Sequence, residues 1–150
     1  MFRALLLTTC LMSVAFSAPV PKSVKGKPPD PDGRWLVVEE KTSASIQNLH
    51  TNRRMWEVGG EELICSSEAP DGSWSRDTKV VCKLVHTDTT QPNWFDLHIQ
   101  LGDLSLCCPG VCTVHGDEMH FCYGSPDGTR PSSATEWKEG VYLRFKRVQK

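Results

Sequence analysis

Side chains able to bind a transition metal are concentrated in one stretch of this chain. Six cysteines and histidines lie between positions 107 and 122 of a 150-residue sequence that has seven cysteines in all. Thiolate and imidazole are ligands that Zn²⁺ and copper accept. One hypothesis is therefore a metal-binding Cys/His site, with the candidate ligands Cys107, Cys108, Cys112, His115, His120 and Cys122.

The spacing of the same cysteines favours disulfides over a metal. The stretch lacks the Cys-x2-Cys pair typical of zinc sites, and the cysteines of exported proteins are usually oxidised. An even set of six follows the N-terminal segment, which predicts three bridges of open connectivity. Because adjacent Cα atoms are only about 3.8 Å apart, Cys107 and Cys108 should have different partners. The disulfide candidates are Cys65, Cys82, Cys107, Cys108, Cys112 and Cys122.

Catalytic motifs are absent from the sequence. Cys112, His115 and Asp117 could be combined into a nucleophile, a base and an acid, but a nucleophilic cysteine must be free. No Gly-x-Ser-x-Gly elbow, phosphate-binding loop or metalloprotease helix is found. We therefore expect a non-enzymatic protein without a cofactor.

The N-terminal 17 residues have the pattern of a secretory signal peptide. Arg3 gives a positive start, the run from Ala4 to Phe16 is largely apolar, and small residues precede Ala18. We expect an exported protein, located in the periplasm, on the cell surface or in the medium. Residues 18–32 contain five prolines and no aromatic residue, which predicts an extended linker before a single domain at 33–150.

The charge balance excludes several partners. Lys and Arg number 17 against 18 Asp and Glu, and the only basic clusters are Arg53-Arg54 and Arg144 to Arg147. Nucleic-acid binding needs a more extensive basic surface. No apolar run in the mature chain reaches the roughly 18 residues that span a bilayer, so no transmembrane segment is expected.

Eight β-rich runs, separated by turn residues, position these side chains. Short strands at such regular spacing are typical of an antiparallel barrel or sandwich. Helical periodicity is lacking, although Ser43 to Asn52 could form one or two turns of helix. The predicted strands are Arg34–Lys41, Arg54–Val58, Glu62–Ser67, Thr78–His86, Trp94–Leu101, Gly110–His115, Glu118–Tyr123 and Val141–Lys146.

Strict alternation makes the Trp94–Leu101 run the clearest strand. Phe95, Leu97, Ile99 and Leu101 share one face, which predicts burial in the core. The opposite face is polar and would form either a lumen or a surface patch. Its residues are the candidates for contact with a ligand: Trp94, Asp96, His98 and Gln100.

Four short motifs carry a resemblance to a known family. Gly33-Arg34-Trp35 looks like the Gly-x-Trp opening of lipocalin-like barrels. A Pro-x-x-apolar-Asp-Leu element, a hairpin containing Gly-Asp, and an Arg-Pro turn before a closing strand follow in order. They are Gln91–Leu97, Gly110–Tyr123, and Arg130-Pro131 with Val141–Arg147. The order resembles an uncharacterised family of secreted lipocalin-like domains abundant in planctomycete bacteria.

The resemblance implies an eight-stranded, lipocalin-like β-barrel and no catalytic residue set. Such a barrel either fills its interior with side chains or holds one small ligand. We expect a mostly β, disulfide-stabilised barrel that binds a small apolar or amphipathic molecule. The alternative is a disulfide-stapled structural or protein-interaction module whose partner is a protein of the cell envelope.

Overall fold

A computed structural model of the chain describes residues 28–42, 53–88, 90–135 and 140–149. These residues form nine β-strands and no helix. The strands are β1 (Gly33–Thr42), β2 (Arg54–Gly59), β3 (Glu62–Glu68), β4 (Trp74–Arg76), β5 (Val80–His86), β6 (Trp94–Leu101), β7 (Leu104–His115), β8 (Glu118–Tyr123) and β9 (Val141–Arg147).

Eight of the strands close into an antiparallel β-barrel. Each strand pairs with the next along the chain, and β9 returns to pair with β1. The short β4 pairs only with the end of β3 and stays outside the ring. The prediction of a mostly β protein with an eight-stranded antiparallel barrel is therefore confirmed.

Each predicted run corresponds to a barrel strand, with two differences. β7 begins at Leu104 instead of Gly110, so that it includes Pro109. Proline has no backbone N–H to donate. Because pairing with β8 starts only at Gly110, the missing N–H of Pro109 does not interrupt the hydrogen bonds between β7 and β8. β4 was not predicted because its three exposed residues show no apolar alternation. The segment Ser43 to Asn52 lies outside the described residues.

Alternate residues of the strands fill the barrel interior. Met119, Phe121, Trp35, Cys112 and Phe145 are fully buried. Burying aromatic side chains of this size contributes a large share of the stability of a domain. Among the other tryptophans, Trp56 is buried, whereas Trp74 and Trp94 are each 37% exposed; Trp137 lies outside the described residues.

The first and last strands meet around Trp35 at one end of the barrel, which we call the base. The Trp35 indole donates a hydrogen bond of 2.6 Å to the Pro31 carbonyl, and the Arg147 guanidinium lies 4.1 Å from the ring centroid. A Cβ at position 33 would come within 2.7 Å of the Arg147 side chain, and Gly33 has a φ of +130°. Gly33 is thus required where these groups pack.

Candidate functional site

The barrel wall divides the six described cysteines into two sets. Cys65, Cys82, Cys108 and Cys112 face the interior, whereas the other two, Cys107 and Cys122, lie on the outer face. All six are free thiols in this structure, so none of the three predicted disulfides is seen. Burial raises the pKa of Cys112 to about 12, which keeps this thiol protonated at neutral pH.

The six candidate metal ligands do not come together. Cys108 and Cys112 are inside the barrel, and His115 is an exposed residue at the end of β7. His120 is on the outer face, where its Nδ1 lies 2.8 Å from the Tyr142 hydroxyl. The Cys/His stretch is continuous in sequence, but the alternation of strand residues scatters it over both faces of the sheet.

The predicted ligand-facing residues all lie on the outer face of β6. Phe95 and Leu97 pack into the core, so the alternate side chains point outward. Gln100 donates to the Gly102 carbonyl in the β6–β7 turn. The polar face of β6 is therefore a surface patch and does not line the lumen.

The register of β6 and β7 places Cys107 beside two of the predicted ligand-facing residues, Asp96 and His98. His98 pairs directly with Cys107, and Asp96 lies two residues further along the same face. The Cys107 Sγ is 3.9 Å from the Asp96 Oδ2 and 3.9 Å from the His98 Nε2. The three groups are half-buried, and their ligand atoms all lie within 4.8 Å of one another. We call this group the outer cluster.

Arg130 contacts the outer cluster through the Asp96 carboxylate. Its guanidinium donates a 2.6 Å hydrogen bond to the Asp96 Oδ1 and lies 4.9 Å from the centroid of the Trp94 ring. It also donates to the carbonyls of Phe95 and Gly110. Asp96, Gly110 and Arg130 come from three separate motifs of the sequence, and the fold joins them at one point.

Electrostatics around Cys107 favour the neutral thiol. Burial raises its pKa, and the carboxylates of Asp96 and Asp127 raise it further. Any cation that binds the sulfur as thiolate must therefore displace a proton.

Two exposed leucines of the β6–β7 hairpin lie at the opposite end of the barrel, which we call the mouth. Alternation from Phe95 and Leu97 makes Leu101 an inward-facing residue, and Leu101 pairs directly with Leu104. These two side chains are nevertheless 41% and 54% exposed. Several partly buried and mostly apolar side chains also face inward at this end: Cys65, Val80, Ile99, Leu106, Tyr123 and Val141.

An ion pair adds charge to the mouth. The Arg54 guanidinium contacts the Glu40 carboxylate, and the Glu40 side chain is only 11% exposed whereas that of Arg54 is 37% exposed. Burial raises the pKa of Tyr123 to about 12, so its phenol remains neutral beside this pair. The mouth thus combines an apolar rim with one accessible guanidinium.

Comparison of the chain with protein-family models, with curated proteins and with solved structures found no match. Among the described residues, no helix has the length and apolar character needed to cross a membrane.

Sequence reasoning identified the members of the outer cluster but not their association. Asp96 and His98 were expected on a ligand-facing surface, and Cys107 in a different set of ligands. Only the β6–β7 register brings them together. Alternation with Leu97 predicted that Leu101 is buried in the core, whereas its side chain is 41% exposed at the mouth. Leu104 lies in the part of β7 that was not predicted as a strand.

Proposed function

We propose that this chain is an exported, non-enzymatic, lipocalin-like barrel that binds one small amphipathic molecule at its mouth. The observation that carries the proposal is the pair Leu101 and Leu104, which face inward at the rim and are 41% and 54% exposed. Apolar side chains that point into a barrel and remain accessible are typical of a ligand-binding surface.

The filled base limits where such a ligand can lie. Trp35, Phe121 and Phe145 are fully buried and occupy the lower interior. A ligand would therefore cover the rim rather than penetrate the whole barrel. Its apolar part would contact Leu101 and Leu104, and an anionic group would reach the Arg54 guanidinium, which has donors beyond those used by Glu40.

The sequence pattern supports the remaining parts of the proposal. The signal-like N-terminus favours export, and the Gly-x-Trp opening with its closing Arg147 favours a lipocalin-like chain order. No catalytic motif argues for an enzyme.

Titration with a dansyl-labelled fatty acid tests the mouth. We expect saturable fluorescence enhancement, displaced by unlabelled dodecanoate. Leu104→Asp should weaken binding about tenfold or more, because losing the burial of one leucine corresponds to roughly 1.5 to 3 kcal/mol. Val81→Asp is the matched control, since Val81 is 58% exposed and points outward from β5.

Two results would reject the proposal. One is the absence of saturable binding, and the other is an equal effect of the two substitutions. Arg54→Gln should weaken dodecanoate binding more than that of dodecanol if the guanidinium recognises the carboxylate.

A structural or protein-interaction module of the envelope is the second candidate. It is favoured by the fully occupied base and by the two exposed tryptophans, Trp74 and Trp94. Cross-linking in intact envelopes would then capture a partner that Trp94→Ser no longer captures, while dodecanoate would not bind the purified barrel.

A further inference from the structure

We propose that the outer cluster of Asp96, His98 and Cys107 is a binding site for one divalent transition-metal ion of the Zn²⁺ class. The site lies on the outer face of β6 and β7, apart from the ligand surface proposed at the mouth. It also differs from the Cys107–Cys122 stretch that the sequence suggested, because only Cys107 is shared between the two sets.

The donor set suits a borderline-soft cation. One carboxylate oxygen, one imidazole nitrogen and one thiolate sulfur are the three ligand types that zinc sites use. Tetrahedral coordination at ordinary metal–ligand distances separates such atoms by about 3.4 to 3.6 Å. The sulfur lies 3.9 Å from each of the other two ligand atoms, and no pair exceeds 4.8 Å. Small side-chain rotations would close the remaining gap.

The surrounding residues orient the carboxylate ligand. Arg130 binds the Asp96 Oδ1 at 2.6 Å, while Oδ2 is the oxygen that faces Cys107. A ligating carboxylate that is hydrogen-bonded through its second oxygen is a recurring feature of protein metal sites. Arg130 is itself fixed by the Gly110 and Phe95 carbonyls and by the Trp94 ring.

The fold keeps Cys107 available as a ligand in an oxidising compartment. Its neighbour Cys108 faces the interior, on the other side of the sheet. Cys122 shares the outer face, but it pairs with Val111, four residues along β7 from Cys107. At about 3.3 Å per strand residue this separation is about 13 Å, well beyond the reach of a disulfide.

Three protein ligands leave a fourth position for water or for a donor from another molecule. Sites with an open position are accessible to exchange, whereas structural zinc sites have four protein ligands. The barrel is already closed by strand pairing, so the ion would be bound by a folded site and would not be needed to form it.

Titration of the full mature chain with Co²⁺ and with Zn²⁺ tests the site. We expect one ion per chain, and the Co²⁺ complex should show the thiolate-to-cobalt charge-transfer absorption. Cys107→Ser should abolish that absorption, and His98→Gln should weaken binding about tenfold or more. Arg130→Gln, acting through Asp96, should weaken it by about 10- to 100-fold.

The matched controls are His115→Gln and His120→Gln, which change histidines of the wider stretch that lie outside the cluster. Both should bind Zn²⁺ as the wild type does, and circular dichroism of each variant reports whether the barrel is intact. The proposal is overturned if the folded wild-type chain binds no ion. It is also overturned if Cys107→Ser retains the absorption, or if His120→Gln weakens binding while His98→Gln does not.

Discussion

Gly110 of β7 lies directly against the ring of Phe121 in the core. A Cβ at this position would lie 2.7 and 2.8 Å from two carbons of the Phe121 ring and 3.1 Å from the Cys122 carbonyl oxygen. We predict that Gly110→Ala lowers the free energy of unfolding by about 1 to 3 kcal/mol, because a packed core resists an added methyl group. Urea-induced unfolding followed by tryptophan fluorescence measures the change.

Gly59→Ala provides the comparison for that measurement. Nothing lies within 4 Å of the Cβ that it would add, and the backbone there is not left-handed. Its effect should stay within about 0.5 kcal/mol. Equal losses in the two variants would show that Phe121 does not set the constraint at Gly110.

For individual residues, the sequence was most informative where apolar and polar residues alternate strictly. It placed Phe95 and Leu97 in the core and Asp96 and His98 on the opposite face, as the structure has them. It could not identify Arg130 as the partner of Asp96, because their contact depends on the path that the chain takes after β8. Residue types indicated metal and thiol chemistry, while the register decided which residues meet.

Arg130 anchors the segment that follows β8 to strands β6 and β7 through hydrogen bonds. The side chains of Arg130 and Asp96 are only 19% and 17% exposed, and the guanidinium also binds two backbone carbonyls. We predict that Arg130→Gln costs about 1 to 3 kcal/mol, since it leaves a partly buried carboxylate without its charge partner. Denaturant unfolding of the single variants and of Arg130→Gln/Asp96→Asn gives the coupling energy between the two side chains.

Arg53→Gln is the control for the loss of an arginine. Arg53 is 58% exposed and lies 3.4 Å from Glu68. Exposed pairs of this kind contribute about 0 to 1 kcal/mol. A coupling energy near zero between Arg130 and Asp96 would mean that the segment is held by other contacts.

Strands β1, β8 and β9 are joined on the outer face by Arg144. Its guanidinium donates to the Glu39 carboxylate at 2.8 Å and to that of Glu118 at 3.1 Å. Hydrogen bonds from Lys41 and then from Arg144 hold the pKa of Glu39 below its ordinary value of 4.5. The folded-state pKa is thus depressed, so this contribution to stability is present above about pH 4.5 and is lost as the pH falls through the folded value.

Glu39→Gln should therefore lower stability by about 0.5 to 1 kcal/mol at pH 7, the range of partly exposed ion pairs. The difference from the wild type should shrink as the pH is lowered through 4.5 towards 3. Thermal unfolding across this range measures it. If the two proteins differ in stability by the same amount at pH 7 and at pH 3, the ionised Glu39 carboxylate is not the source of the difference.

Strand existence was easier to predict than strand extent. Alternation and flanking turns identified every strand of the ring, and the Gly116-Asp117 turn between β7 and β8 was correctly predicted. The first half of β7 was not predicted, because a proline after Cys107-Cys108 is more typical of a turn than of the middle of a strand. That half contains Cys107 and Leu104, so both candidate sites depended on the part of the sequence with the weakest signal.

Closure of the barrel is a property of the whole molecule that no local pattern contains. It depends on pairing between β1 and β9, which lie at opposite ends of the domain. The lipocalin-like resemblance implied this order, and in this chain Arg147 at the end of β9 stacks on Trp35 of β1. None of the predicted disulfides is seen among the described residues, and counting cysteines ignores which face of the wall each thiol occupies.

The closed wall restricts the pairing of the six cysteines to fewer than three bridges. Cys65 and Cys82 lie on the inner faces of the adjacent strands β3 and β5, where Cys82 is opposite Leu63 and Cys65 is two residues further along β3. A hydrogen bond with the Cys82 thiol raises the pKa of Cys65. We predict that the exported protein contains at most the Cys65–Cys82 disulfide. Its formation would transfer two hydrogens to a thiol oxidoreductase or to a small disulfide. Alkylation in denaturant followed by mass spectrometry maps the bridges. Serine at both positions should leave no bridge, whereas serine at Cys107 should leave the map unchanged. Three bridges in a correctly folded sample would be incompatible with the barrel described here.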